Sequence, residues 1–176
     1  MILAVDVQYV AGKGAAAGVL LESWDSSTAT DEFISVAEID AEYVPGQFYK
    51  RELPCILMLL NDHALSPDSI LVDGYVFLDD DESPGLGKYL YDALKGRIMV
   101  IGVAKNRYAG IGEQHAVYRG DSRNPLYVTA AGVGLEVARE NILSMHGRHR
   151  VPTLLKHADK LARESASKLV ELKSHE

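Results

Sequence analysis

Three apolar runs in this chain are interrupted or closed by a charge. Ile2–Val5 is broken by Asp6, Ile70–Val72 is closed by Asp73, and the run within Arg97–Ala104 is closed by Lys105. Such short runs, bounded by turn residues, read as buried strands. A carboxylate among buried strand residues is costly unless something pairs with it. Any fold for this chain must therefore bury the runs and also give Asp6 and Asp73 a partner.

The first third adds two more strands, Ala15–Ser23 and Glu32–Ile39, after a first over Met1–Val10. The turn-rich stretches "AGKG" and "WDSSTATD" connect them, and connections this short predict an antiparallel meander. Beyond the loop "YVPGQ" the pattern changes. Arg51–His63 reads as a helix, with Pro54 tolerated in its first turn. Ser69–Leu78 is a strand, Lys88–Leu94 a short helix, and Arg97–Ala104 a strand. Pro125–Thr129 is a short strand and Leu135–Met145 a helix. A last helix from about Leu154 carries Leu155, Ala158, Leu161, Ala162, Ala166 and Leu169 at helical spacing. The order predicts an α/β fold: one RNase H-like mixed sheet, with the antiparallel meander followed by parallel strands and helices on both faces. In open sheets of this kind, functional groups gather at the carboxyl ends of the parallel strands. The 176 residues contain no internal repeat or linker, so a single domain over 1–176 is expected.

Composition narrows the function. No apolar run approaches the roughly 18 residues of a membrane span, and "MILAVDVQYV" lacks the basic start of a signal peptide. The one cysteine, Cys55, cannot form an internal disulfide and suits a reducing cytoplasm. The net charge of -7 disfavours a protein that coats nucleic acid non-specifically. It leaves room for a metal-dependent nuclease, whose site must concentrate acids. The histidines form no zinc pattern, "GKGAAAG" lacks the Lys-Ser/Thr ending of an ATP site, and no GxSxG elbow occurs.

Each candidate has a plain alternative. Asp6 is either a buried acid satisfied by amides or an arginine, or half of an acid pair with Asp73. Like charges that close are relieved by a divalent cation. Glu52 is either a first-turn acid favoured by the helix dipole or a third ligand. Asp159, on the edge of the last helix's apolar stripe, is a solvated acid or a fourth. Lys105 reaches solvent or holds a phosphate. The run Asp79–Glu82 does not alternate as an EF-hand does and reads as a solvated loop. Tyr75 and Tyr89 flank it and suit either a core or stacking on a base.

The stretches "AVDVQY", "YVPGQFYKRELP", "ILVDGY", "VIGVAKNRYAG", "LYVTAAG" and "RVPTLLKHAD" run in one order across residues 2–163. In that combination the chain resembles the endonuclease V family. The resemblance implies an RNase H-like fold and hydrolysis of the phosphodiester bond one nucleotide beyond the 3′ side of an inosine, in DNA or RNA. It implies Mg²⁺, with Mn²⁺ as a substitute, on Asp6, Glu52, Asp73 and Asp159, with Lys105 at the phosphate. It implies a strand-separating wedge at Tyr43, Val44, Pro45 and Gly46, and glycines near the displaced base at Gly110 and Gly132. A monomer acting on nucleic acid with a deaminated base, away from any membrane, is the expectation. The chain departs from the family after "VDG", where a histidine and a His-Pro-Arg-Arg stretch give way to the acidic Asp79–Glu82. The wedge is preceded by Glu42, and "PEP" near the C-terminus reads "PTL". The acidic loop motivates an alternative: an RNase H-like module that binds nucleic acid or a protein partner without cutting.

Overall fold

The computed structural model describes residues 1–39, 47 and 49–173. Its centre is a seven-stranded mixed sheet. Ile2–Val10 (β1), Lys13–Leu21 (β2) and Asp31–Glu38 (β3) form the meander, with β1–β2 and β2–β3 antiparallel. Ser69–Asp73 (β4) lies parallel to β1, and Met99–Ala104 (β5) lies parallel to β4. Ala116–Val117 (β6) and Leu126–Ala131 (β7) complete the order β3-β2-β1-β4-β5-β7-β6. The mixed α/β architecture agrees with the sequence, including parallel strands after the meander. The chain then turns back, because β7 runs antiparallel to β5.

The central strands are buried on both sides, which is why they read as continuous apolar runs. On one face, helix Tyr49–Asp62 (α1) and helix Leu86–Ala93 (α2) cover Leu3, Val5, Ile70, Val72 and Val100. On the other, helix Leu135–Ser144 (α3) and helix Thr153–Lys173 (α4) cover Ala4, Val19, Leu71, Ile101 and Val128. β2 is rich in small residues ("GAAAG"), and this lets α1 approach closely. A Cβ on Gly14 would stand 2.6 Å from the Cys55 sulfur. No helix among the described residues is long and apolar enough to cross a membrane.

Two local expectations are corrected. α1 begins at Tyr49, so Pro54 is its sixth residue and lies in the second turn rather than the first. It supplies no N–H to the Lys50 carbonyl. The strand expected through Leu78 ends at Asp73. Gly74 takes a φ of 138°, and the chain then crosses over β5. That crossing requires Gly102, where a Cβ would stand 2.5 Å from the Gly74 carbonyl oxygen. The Thr129 hydroxyl accepts the Val76 N–H at 2.8 Å and ties the crossing segment to β7.

Two arginines set the segment before α4. Arg119 is 4% exposed. Its guanidinium donates to the carbonyls of Met145, Gly147, His149 and Arg150. Arg150 donates to the carbonyls of Pro125 and Lys105. The loop entering α4 is thereby fastened to the carboxyl end of β5. Buried carbonyls that lose their donor are costly, about 1–3 kcal/mol each. Arg119→Met keeps much of the bulk and removes the donors. It is expected to lower stability by about 3 kcal/mol in urea unfolding, and a loss below about 1 kcal/mol would show that other donors take over.

Candidate metal and nucleic-acid site

Strand register brings the two strand acids together. Val5 pairs with Val72 across the parallel β1–β4 ladder. Asp6 and Asp73 follow at the next position of each strand, so they are neighbours at one end of the sheet. Lys105 follows β5 at the same end, and its ammonium donates to Asp73 Oδ2 at 3.0 Å. α4 crosses this end and carries Asp159 next to the buried Ala158. Asp6, Asp73, Lys105 and Asp159 all line one cavity of about 210 Å³, whose walls include Leu126 and Leu155. Asp159 is also held by Arg163 one turn later, at 3.0 and 3.1 Å.

Glu52 approaches from the opposite face, on the first turn of α1. It lines a second cavity of about 430 Å³ with Asp73, Tyr49, Tyr75, Tyr89 and Tyr108. Asp73 borders both cavities and joins them. Tyr49 and Tyr89 stack with centroids 4.0 Å apart. The Tyr75 hydroxyl donates to the Asn106 carbonyl at 2.6 Å and accepts the Tyr108 N–H at 3.0 Å.

The acids feel one another. Burial raises the Asp6 carboxyl to about 6, and the charges of Asp73 and Asp159 add to this, against a hydrogen bond from Gln8. Burial raises Glu52 to about 8, with Asp6 and Asp73 adding, against the Arg51 guanidinium. This is the electrostatics of a donor set that suits a hard divalent cation. Among the described residues, no three His, Cys, Asp or Glu side chains converge closely enough to hold such an ion together. Asp73 Oδ2 is engaged by Lys105.

Of the other sequence candidates, Tyr43, Val44, Pro45 and Gly46 lie outside the described residues. Gly110 bridges to Asp79, beside Leu78 on the rim of the second cavity. Gly132 is a correction. It follows β7, whose antiparallel course sets Ala131 opposite Val100 at the amino end of β5. A Cβ there would meet Tyr91 at 2.9 Å, so Gly132 stands at the far end of the sheet from Asp6 and Asp73. The acidic loop is a tight turn. Asp79 Oδ1 accepts the Ser83 N–H at 2.9 Å, and Asp80 Oδ1 accepts from Gln114 at 2.8 Å. Two further residues shape the site without having stood out in the sequence. Gln8 donates to Asp6 Oδ2 at 3.3 Å, and Arg150 donates to the Lys105 carbonyl. Two-residue periodicity could have found Gln8, since it shares a strand face with Asp6. Nothing local signals Arg150.

Acids raised in the folded state bind more protons there than in the unfolded chain. Their contribution is complete below their unfolded values, near 4, and is lost as pH rises through about 6 for Asp6 and about 8 for Glu52. In EDTA, wild-type stability is therefore expected to carry a component that falls between about pH 4.5 and 8. Glu52→Gln should flatten that slope in urea titrations. Equal slopes for the two proteins would show that Glu52 is not the group responsible.

A family model described as Endonuclease V matches residues 1–127. The Streptomyces coelicolor endonuclease V is 30% identical over 92% of this chain and 77% of its own length. The crystal structure of the Streptomyces avermitilis endonuclease V superposes with a TM-score of 0.79, at 27% identity over 96% of this chain and 82% of that one. A Ciona intestinalis endonuclease V in complex with inosine-containing DNA shares the fold, with a TM-score of 0.77 at 18% identity, over 96% of this chain and 86% of that one. With the family model spanning most of the sequence and the same fold in its relatives, the chain belongs to the endonuclease V family.

Proposed function

We propose that this protein is a metal-dependent nucleic-acid endonuclease that hydrolyses a phosphodiester bond 3′ to a deaminated base, inosine, in DNA or RNA. It would act as a monomer and a single domain, in the manner of a repair enzyme of the cytoplasm. The observation that carries the reading is the meeting of Asp6, Asp73, Lys105 and Asp159 around one cavity, with Glu52 reaching Asp73 from the other face. Family membership and the inosine-DNA complex of the Ciona relative support the substrate class.

Asp6, Glu52, Asp73 and Asp159, which do not converge on one point as they stand, would draw together to hold Mg²⁺ or Mn²⁺. Oxygen donors are the right class for such hard ions, and the mutual repulsion that adds to burial in raising Asp6 and Glu52 is what a bound cation would relieve. Such a cation would supply Lewis-acid stabilisation of phosphate charge and would acidify water. Lys105 offers a fixed positive charge to the phosphate, and the Arg150 guanidinium holds its backbone. The second cavity takes the base. Its tyrosine faces suit a planar ring, and stacking of this kind contributes about 1–3 kcal/mol per base. Gly110 lies at its rim. By the family resemblance, the Tyr43, Val44, Pro45 and Gly46 stretch would take the place of the extruded base. Extrusion costs least for a mispaired base, which favours inosine over normal partners.

A second reading has its own observation. The Asp79–Glu82 turn sits beside this cavity, with Leu78 and Pro84 in the cavity wall and Asp80, Asp81 and Glu82 exposed. Acids there oppose a phosphate backbone, which favours a module that binds without cutting.

End-labelled single-stranded DNA and RNA oligonucleotides, each with one inosine, separate the readings. Cleavage one nucleotide beyond inosine is expected with Mg²⁺ or Mn²⁺ and not with EDTA. Asp73→Asn should slow it by about a hundredfold or more. Binding with no cut under any condition would support the second reading. Mg²⁺ is also expected to raise the wild-type melting temperature by several degrees relative to EDTA. Asp73→Asn should be at least as stable as wild type in EDTA and should gain nothing from Mg²⁺. Unfolding of that variant would mean that Asp73 is structural.

A further inference from the structure

The acidic turn raises a physical question: on which side can a polyanion approach this site? Asp80, Asp81 and Glu82 are exposed beside the tyrosine-lined cavity, and Glu113 lies on the short turn next to them. The opposite flank differs. A groove of about 640 Å³ runs between the β2–β3 loop and the first turns of α4. Its basic side chains are His149, Lys156, His157 and Lys160. Ser27, Thr28 and Thr153 add hydroxyls to the lining. The groove's acid, Glu32, is 2.5 Å from His157 Nε2 and is already engaged. Lys160 is exposed and only loosely paired, with Glu164 at 3.6 Å. Val151 and Lys156 line both this groove and the cavity of Asp6, Asp73 and Lys105, so the two spaces adjoin.

From that adjacency and charge contrast, we infer that this groove carries the sugar-phosphate backbone of the nucleic acid past the reacting bond. The inference rests on the nucleic-acid reading above and adds the path of the strand. A chain with a net charge of -7 must concentrate its cations where a polyanion lies. Lys156 and Lys160, one turn apart on α4, supply point charges at a spacing that follows a backbone. The hydroxyls supply neutral donors to phosphate oxygens, which position a strand without reading its sequence. The groove thus does the work that the family's basic stretch after "VDG" would do, from the other side of the cavity.

The test is binding of a fluorescein-labelled, single-stranded, inosine-containing DNA to the full chain in EDTA, followed by anisotropy at several KCl concentrations. Lys156→Glu/Lys160→Glu is compared with Lys95→Glu/Arg97→Glu. The second pair makes the same charge change at the amino end of β5, the far end of the sheet. The groove pair should weaken binding at least tenfold at low salt. It should also reduce the slope of log affinity against log salt by about 0.7 for each phosphate that is no longer neutralised. The far pair should change affinity by less than threefold. Equal weakening by the two pairs, no weakening by either, or no binding by wild type overturns the inference. Ser27→Glu/Thr28→Glu, on the facing loop and outside any helix, repeats the test should α4 fail to fold in the first pair. Cleavage distinguishes the two levels. A wild type that cuts while the groove pair binds normally leaves the proposed function standing without the groove. A wild type that never cuts, with the groove pair alone weakened, leaves the groove standing without the nuclease.

Discussion

Parallel pairing of β1 with β4 places two carboxylates side by side, and much of the remaining architecture can be read as a response. Asp6 and Asp73 come together because the ladder sets Val5 against Val72. Both strands run the same way, so both acids reach the same end of the sheet. Their repulsion, added to burial, raises Asp6, and it reaches Glu52 on the opposite helix layer. Lys105, one strand further, offsets part of the charge through its ion pair with Asp73. A cluster of half-buried acids around the exposed Asp73 is an unfavourable arrangement by itself, and it is sensible where a cation or a phosphate completes the balance.

The site also depends on backbone held at a distance from it. Arg119 gathers four carbonyls of the segment before α4, and Arg150 takes the Lys105 carbonyl. Asp159 and Lys105 come from elements far apart in the chain. Their relative position is set by this stitching and by the burial of Leu154 and Ala158 against the sheet. On the other layer, Gly102 lets the segment after Asp73 cross β5 closely, and Tyr75 then pins residues 106–108 over the second cavity. The two cavities are thus held by independent interactions that share Asp73.

Charge is distributed unevenly around that shared residue. The turn of Asp79–Glu82 gives one rim an acidic character, while α4 and the β2–β3 loop line the other with cations and hydroxyls. This asymmetry is the basis for the inferred direction of approach of a polyanion.

Much of this was legible in the sequence, for physical reasons. Strands buried on both faces must be continuously apolar, so the runs ending at Asp6, Asp73 and Lys105 disclosed the sheet and its functional end. The apolar stripe of the last helix disclosed α4 and placed Asp159 at its edge. Short turns disclosed the meander. Strand direction after β5 was not legible, because the polar stretch between β5 and β7 allows either sense. The family resemblance put Gly132 near the displaced base, whereas the antiparallel course of β7 carries it to the far end of the sheet from Asp6 and Asp73. The end of β4 at Asp73 depended on the room that Gly102 leaves for the crossing chain. Arg119, Arg150 and the Lys156–Lys160 groove join segments distant in sequence, so no local pattern announces them. Local pattern sufficed for the existence and order of most elements and for singling out the candidate acids. Which acids meet, what holds them and which face is open to a polyanion are outcomes of the tertiary fold, since each depends on long-range pairing and not on local preference.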